Sequence, residues 1–227
     1  MIPIAFDELD ALGLGELHGS GEITGFQIDS RRIGGGDLFV AIGGGREFVG
    51  DARDRGAITL VPHHEFDAMA VIGQMLRARS RARFVGVTGS TGKTSTKDIL
   101  AALCSAVAPT VWTEGSYNAE LGVPLTLGRL EPETELCIVE MGMRGLGQIA
   151  DLCEIVRPHV GLISAVGPVH LELVGSVDGV ARSKAELVAA LPPDGIAIVP
   201  QSADLEPHLR TDIEILRVPP VDERSTP

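Results

Sequence analysis

The chain has 227 residues, 44% of them hydrophobic and 22% charged, the proportions of a globular protein long enough for two modest domains. Its formal net charge of −12 argues against a general nucleic-acid binder, so any anionic ligand must meet positive charge gathered at one place. Cys104, Cys137 and Cys153 show no CxxC spacing and lie in apolar or helical runs, which points to buried thiols in a reducing compartment rather than to disulfides or a metal knuckle.

The N-terminus, MIPIAFDELDALG, lacks a basic region followed by an apolar core, and no run approaches about 18 apolar residues. Neither a signal peptide nor a membrane helix is expected, and the expected place is the cytoplasm. Residues 1 to 80 read as a first unit. A helical pattern spans Phe6 to Leu12. Strand-like pieces follow at Ile23–Ile28, Asp37–Ile42 and Ile58–Val61, separated by glycine clusters at 34–36 and 43–45, and helical spacing returns from Glu65 to Arg79. The basic stretch RARSRAR (77–83) reads as a solvated helix end and linker.

From residue 81 strands alternate with helices. Strands are expected at Phe84–Thr88, Leu136–Met141, Val160–Ala165 and Gly195–Val199. Helices are expected at Lys93–Val107, Glu120–Leu130, Gly147–Val156 and Val177–Leu191. That rhythm predicts a mostly parallel sheet with right-handed crossovers and a ligand at the carboxyl ends of the strands. After Pro200 it fades. One more possible strand, Asp212–Val218, precedes a polar, proline-containing tail, and residues 201–227 read as a partly disordered tail.

Residues 86–96, GVTGSTGKTST, are the most informative stretch. A strand that turns on glycines into a helix aims backbone N–H groups and a helix N-terminus at one point, which binds phosphate. Residues Gly89, Ser90, Thr91, Gly92, Lys93, Thr94 and Ser95 form the candidate cradle. Lys93 supplies a cation for the β/γ-phosphates, and the Thr94 hydroxyl is a magnesium ligand. The general motif has a glycine five residues before Gly92, and this chain has Val87 there. An ordinary glycine turn with an exposed lysine is the alternative.

Other candidates fall at strand ends. Glu140 closes the apolar run LCIVE and reads either as a magnesium carboxylate or as a strand-end acid in solvent. His170, in GPVHLELVGS, reads as a ligand to a second metal or as an exposed loop histidine. Lys184 on the following helix would by itself be a solvated surface lysine. Asn118 and Glu120 precede a helix start, where an N-cap and a first-turn acid are the default roles.

Taken in order, these pieces resemble the Mur ligases, the ATP-dependent amide ligases of peptidoglycan precursor synthesis. The carrying segments are GVTGSTGKTSTKDIL (86–100), NAELGVPLTL (118–127), VEMGMRGLGQIADL (139–152), RPHVGLISAVGPVHLELVGSVDGVARSKAEL (157–187) and GIAIVP (195–200). IDSRRIGGGDLFVAIGG (28–44) and RGAI (55–58) are similar to the family's uridine-nucleotide-binding domain. Lys97 after the loop, with the Asn-Ala-Glu-Leu-Gly-Val-Pro and Glu-Met-Gly segments, is most similar to the MurF type, which joins D-alanyl-D-alanine to UDP-MurNAc-tripeptide. The family's loop also lacks the first glycine of the general motif.

The resemblance implies a small N-terminal α/β domain (1–80) that binds UDP-MurNAc, then a phosphate-loop central domain (81–200) with a mostly parallel sheet. It implies ATP and Mg²⁺ as cofactors and an acyl phosphate intermediate. UDP-MurNAc-peptide and D-Ala-D-Ala are the implied small-molecule partners, with no nucleic acid and no membrane insertion. By matching position, Lys93 and Thr94 serve the γ-phosphate and magnesium, Glu140 the magnesium, His170 a second metal, and Lys184 a carbamate. Asn118 and Glu120 lie near substrate, and Ser30 and Arg31 contact the uridine nucleotide. The resemblance further implies a central domain cut short, with Gln201-Ser202-Ala203-Asp204 where the family has an asparagine and acidic residues near adenine, and a missing C-terminal domain. Three functions stay open: a MurF-like ligase, a nucleotide- or UDP-precursor-binding relative without catalysis, and a related ligase of the folylpolyglutamate or cyanophycin type.

Overall fold

The computed structural model describes residues 1–169 and 174–220. They divide into two compact units, one of Met1–Arg81 with Glu120–Thr134, the other of Ala82–Ala119 with the chain from Glu135 onward.

The first unit opens with β1 (Ile4–Ala5), α1 (Phe6–Asp10), β2 (Gly15–His18), β3 (Glu22–Ile23) and β4 (Gly25–Gln27), followed by β5 (Asp37–Val40), α2 (Val49–Asp54), β6 (Ile58–Pro62) and α3 (Glu65–Arg79). Its main sheet has the order β2-β6-β5-β4, with β2 antiparallel to β6 and the other pairs parallel. The expected strand Ile23–Ile28 is two strands. β3 pairs with β1, whereas β4 joins the main sheet. The chain changes partner at Thr24, whose N–H donates to Gly36 O at 2.9 Å. Phe39, Ala41, Ala52 and Ala57 form a core in this unit. Helix α3 carries Glu65 and Asp67 in its first turn and Arg77 and Arg79 in its last, complementing the helix dipole, and buries Ala68, Met69, Ile72 and Leu76 at helical spacing. Arg79 donates to Pro3 O and pairs with Glu8, so this part of the basic stretch ties the N-terminal segment down.

The second unit contains β7 (Arg83–Thr88), α4 (Lys93–Ser105) and β8 (Thr110–Trp112). The chain then returns to the first unit for α5 (Gly122–Leu127), which packs on α3. Pro124 sits in the first turn of α5, where its missing N–H breaks no helical bond. The second unit resumes with β9 (Leu136–Glu140), α6 (Gln148–Val156), β10 (Val160–Ile163), α7 (Val177–Ala189), β11 (Ile196–Pro200) and β12 (Glu214–Val218).

Its six strands form one sheet, all parallel, in the order β12-β11-β10-β7-β9-β8. Strand β7 is central and reads as a nearly continuous apolar run because helices cover both faces. Val87 packs with Ala101 of α4 on one face, while Gly86 lies under Leu187 of α7 on the other. The chain lays β9 on one side of β7 and β10 on the other, so loops at the carboxyl ends part around β7, the usual ligand position in such sheets. Cys137 and Cys153 are buried, Cys104 is half-buried, and all three are free thiols. Burial, and secondarily the Glu186 charge, push the Cys153 thiol up to about 12, which keeps it inert. Among the described residues no helix is long and apolar enough to cross a membrane.

Candidate functional site

The site is built around the turn from β7 into α4. Gly92 takes the left-handed conformation (φ 79°) at the N-cap of α4, which leaves the helix's first amides free to meet a ligand. Gly89 has φ 149°, and a Cβ there would lie 2.1 Å from Ser164 Oγ, so only glycine lets the loop approach the end of β10. The segment after β10 buttresses the loop. Ser164 Oγ donates to Thr91 O at 2.6 Å, Ser90 N–H donates to Ala165 O at 2.8 Å, and Ser90 Oγ accepts from Gly167 N–H at 3.0 Å. Lys93 Nζ folds back onto Gly89 O at 2.9 Å.

Beside the loop lies the end of β9. Glu140 is only 1% exposed there, not in solvent. Its N–H donates to Thr113 Oγ1 at 3.0 Å and its Oε1 accepts from Asn118 Nδ2 at 2.7 Å. Its Oε2 is buried without a hydrogen-bond partner among the described residues. Asn118 therefore orients a carboxylate and does not cap α5, whose N-cap is Leu121. Residues 90–95, Ser116, Asn118 and Glu140 line one open cavity of about 460 Å³.

Lys184, which alone would pass for a solvated lysine, is 1% exposed on α7. Burial, with the Lys93 charge acting the same way against Glu186, lowers it to about 8. Glu186 also accepts from the α6 N-terminal amides, with Gly147 N–H at 2.7 Å and Ala150 N–H at 3.1 Å. Hence α7 holds both a depressed lysine and the loop that follows Glu140.

The remaining candidates lie elsewhere. His170 falls outside the described residues. Glu120 is exposed and belongs to the first unit. Ser30 and Arg31 are also in that unit, on a short 3-10 turn. There the Arg31 guanidinium grips Asp29 through Nε at 2.9 Å and Nη2 at 2.8 Å, holding that carboxyl down at about 2. Thr113, Ser116, Ser164 and Glu186 went unnoticed in the sequence. Ser164 and Thr113 act through ordinary hydroxyls at strand ends, which leave no motif. Glu186 looks like any helical glutamate until α6 lies against it.

A parallel α/β sheet with a phosphate loop after its central strand, and a buried carboxylate at the end of the next one, defines a phosphate-loop protein. The family model for the Mur ligase middle domain matches residues 87–217, more than half of the chain, and the chain belongs to the Mur ligase family.

Among curated relatives, the UDP-N-acetylmuramoyl-tripeptide--D-alanyl-D-alanine ligase of Synechocystis is 40% identical over 197 residues, covering 78% of this chain and 43% of the relative. The Escherichia coli K12 protein of the same name is 35% identical over 218 residues, covering 88% and 48%. Crystal structure I of MurF from Acinetobacter baumannii superposes with a TM-score of 0.83 at 30% identity, over 95% of this chain and 53% of that one. MurF from Thermotoga maritima, solved in complex with ADP, gives 0.77 at 29% identity over 87% and 50%. The chain thus spans about half the length of the relatives it matches.

Proposed function

We propose that this chain serves an ATP-dependent, MurF-like ligase that joins D-alanyl-D-alanine to UDP-MurNAc-tripeptide through an acyl phosphate, a reaction of the cytoplasm. The observation that carries it is the buried, unpartnered Oε2 of Glu140, a residue that lines the cavity of the phosphate loop. An orphaned carboxylate oxygen is costly unless a cation meets it. Among the described residues no three His, Cys, Asp or Glu side chains converge to hold a metal unaided. One carboxylate and one hydroxyl beside a phosphate cradle is the donor set that suits magnesium, which binds through few protein ligands plus phosphate oxygens.

Thr94 and Glu140 would hold that ion, with His170 assigned to a second. The chemistry such an ion would supply is neutralisation of phosphate charge during phosphoryl transfer. The chain's own residues do the rest. The amides of residues 91–95 at the α4 N-terminus bind the phosphate oxygens, the Ser90 amide being held by Ala165 O. Lys93, released from Gly89 O, adds its charge there. Asn118 keeps Glu140 turned toward the cavity. A lysine lowered to about 8 carries an appreciable neutral amine near neutrality, the form that adds CO₂. Lys184 thereby gains a carbamate and loses a proton. Residues 1–80, with 120–134 in the same unit, are the UDP-MurNAc-binding domain, with Ser30 and Arg31 at the nucleotide, and the rest of 81–200 is the ATP-binding domain. Glu120 is assigned to the segment near substrate and the γ-phosphate. The substrate carboxylate takes the γ-phosphoryl group and releases ADP, and the dipeptide amine then displaces phosphate.

Titration with a fluorescent ADP analogue tests this reading. Micromolar binding strengthened by Mg²⁺ is expected, with Lys93→Ala weakening it by roughly tenfold or more. No binding by the wild-type chain would overturn it. A second reading is a precursor-binding relative without turnover. Phosphate release with ATP, Mg²⁺, UDP-MurNAc-tripeptide and D-Ala-D-Ala separates the two, since only a ligase turns over.

A further inference from the structure

Among the described residues Lys97 is one of the largest fully buried side chains, at 1% exposure, one turn beyond the phosphate loop on α4. Its Nζ donates to Thr113 O at 2.9 Å and reaches Gly115 O at 3.3 Å. It also pairs with Asp98 Oδ1 at 2.6 Å, but the Asp98 side chain is 56% exposed and adds little. Both carbonyls belong to the strap 113–118 that leaves β8. The strap's middle, residues 114–117, is exposed. Its ends are fastened to Glu140 and its neighbour. Thr113 Oγ1 accepts from Glu140 N–H, Asn118 Nδ2 donates to Glu140 Oε1, and Gly142 N–H donates to Asn118 O at 2.7 Å.

We propose that Lys97 is a positioning residue for the metal-binding carboxylate: its buried ammonium holds the 113–118 strap closed, which sets Asn118 against Glu140 and leaves Oε2 free for the cation. A buried ammonium is retained only where fixed acceptors meet it, and here the acceptors are strap carbonyls rather than a core partner. Apart from exposed Asp98, the partners of the ammonium are the Thr113 and Gly115 carbonyls, so it acts through the strap. The assignment of a metal to Glu140 rests on the proposed function, whereas the hold on the strap does not.

Two readouts separate these. The first is amide hydrogen exchange of the ligand-free chain. In Lys97→Met the Glu140 and Gly142 amides are expected to exchange about tenfold faster, while amides of α6 and β11 are unchanged. No change, or an equal rise across the whole sheet, would overturn the proposal, the latter because it marks Lys97 as a residue of general stability.

The second readout is the strengthening of ADP binding by Mg²⁺, which is expected to shrink about tenfold in Lys97→Met with metal-free binding kept within about twofold. In a cycle with Asn118→Ala the second substitution should add less than about twofold, and additive losses would sink the coupling. Lys97→Arg, which retains charge and donors but places them differently, carries the same cycle if the methionine variant does not fold. A wild-type chain that binds no ADP while Lys97→Met still frees the Glu140 and Gly142 amides would overturn the nucleotide reading and leave the strap assignment standing.

Discussion

Burial makes Lys184 sensitive to pH. It is 1% exposed and titrates near 8 in place of 10.5. Below pH 8 it is protonated in both folded and unfolded chains, and the folded state bears the full cost of a buried cation. Between 8 and 10.5 the folded state releases its proton first, so stability rises with pH, and above 10.5 the penalty is gone. The magnitude is on the order of 3 kcal/mol. In CO₂-free buffer, Lys184→Met is expected to be more stable than wild type at pH 7 by up to that amount, with the gap closing toward pH 10.5, as read by urea unfolding. A gap independent of pH would show that this lysine is not desolvated. Glu140 makes the same point about legibility. Its place at the end of an apolar strand was plain in LCIVE, but its burial and its single partner depend on the strap 113–118, which pairs with it only in the folded sheet.

At the scale of elements, the phosphate loop is the part most fully written in local sequence, because its glycines answer local backbone demands. Those demands differ at the two positions. At Gly92 an added Cβ would keep 3.8 Å from its nearest neighbour, so Gly92→Ala meets only the left-handed backbone, a cost of about 1–2 kcal/mol. At Gly89 the Cβ would also strike Ser164 Oγ, with Ala165 N at 3.0 Å. Gly89→Ala is therefore expected to displace the loop, lowering ADP affinity by roughly tenfold and costing about 1–3 kcal/mol of stability. Gly92→Ala should bind nearly as wild type, and the pair can be compared by ADP titration and thermal melts. Equal losses at both positions would count against the role given to Ser164. Long periodic elements such as α3 and α4 were legible for a similar reason. Strands β2 and β8 were not. Each is too short for alternation to show, and β8 is a strand only because β9 offers it a ladder.

At the scale of the molecule, the chain passes from the first unit to the second, returns for residues 120–134, and leaves again. The alternating strand–helix rhythm from residue 81 hid this excursion, because α5 occupies the place of an ordinary crossover helix. Val123, Leu127 and Leu130 of the excursion are fully buried. At about 1.5–3 kcal/mol each, their burial is comparable to the whole stability of a small domain. Residues 1–81 expressed alone are expected to melt without a cooperative transition by circular dichroism. Joining 120–134 through a flexible linker should restore one. A cooperative melt of 1–81 by itself would mean that α5 is dispensable to the first unit.

The sequence by itself determined the fold class, the phosphate loop and the family, because each is encoded in contiguous residues: a 2-to-3.6 alternation of periods, glycines at fixed offsets and a lysine-threonine pair opening a helix. Tertiary structure alone decided which side chains share the site. It moved Asn118 from a helix cap to a carboxylate, took Lys184 out of solvent, brought Lys97 of α4 against Thr113 at the end of β8, and set Ser164 at the end of β10 against the phosphate loop. Those outcomes depend on desolvation and on partners tens of residues apart, and neither leaves a trace in local spacing.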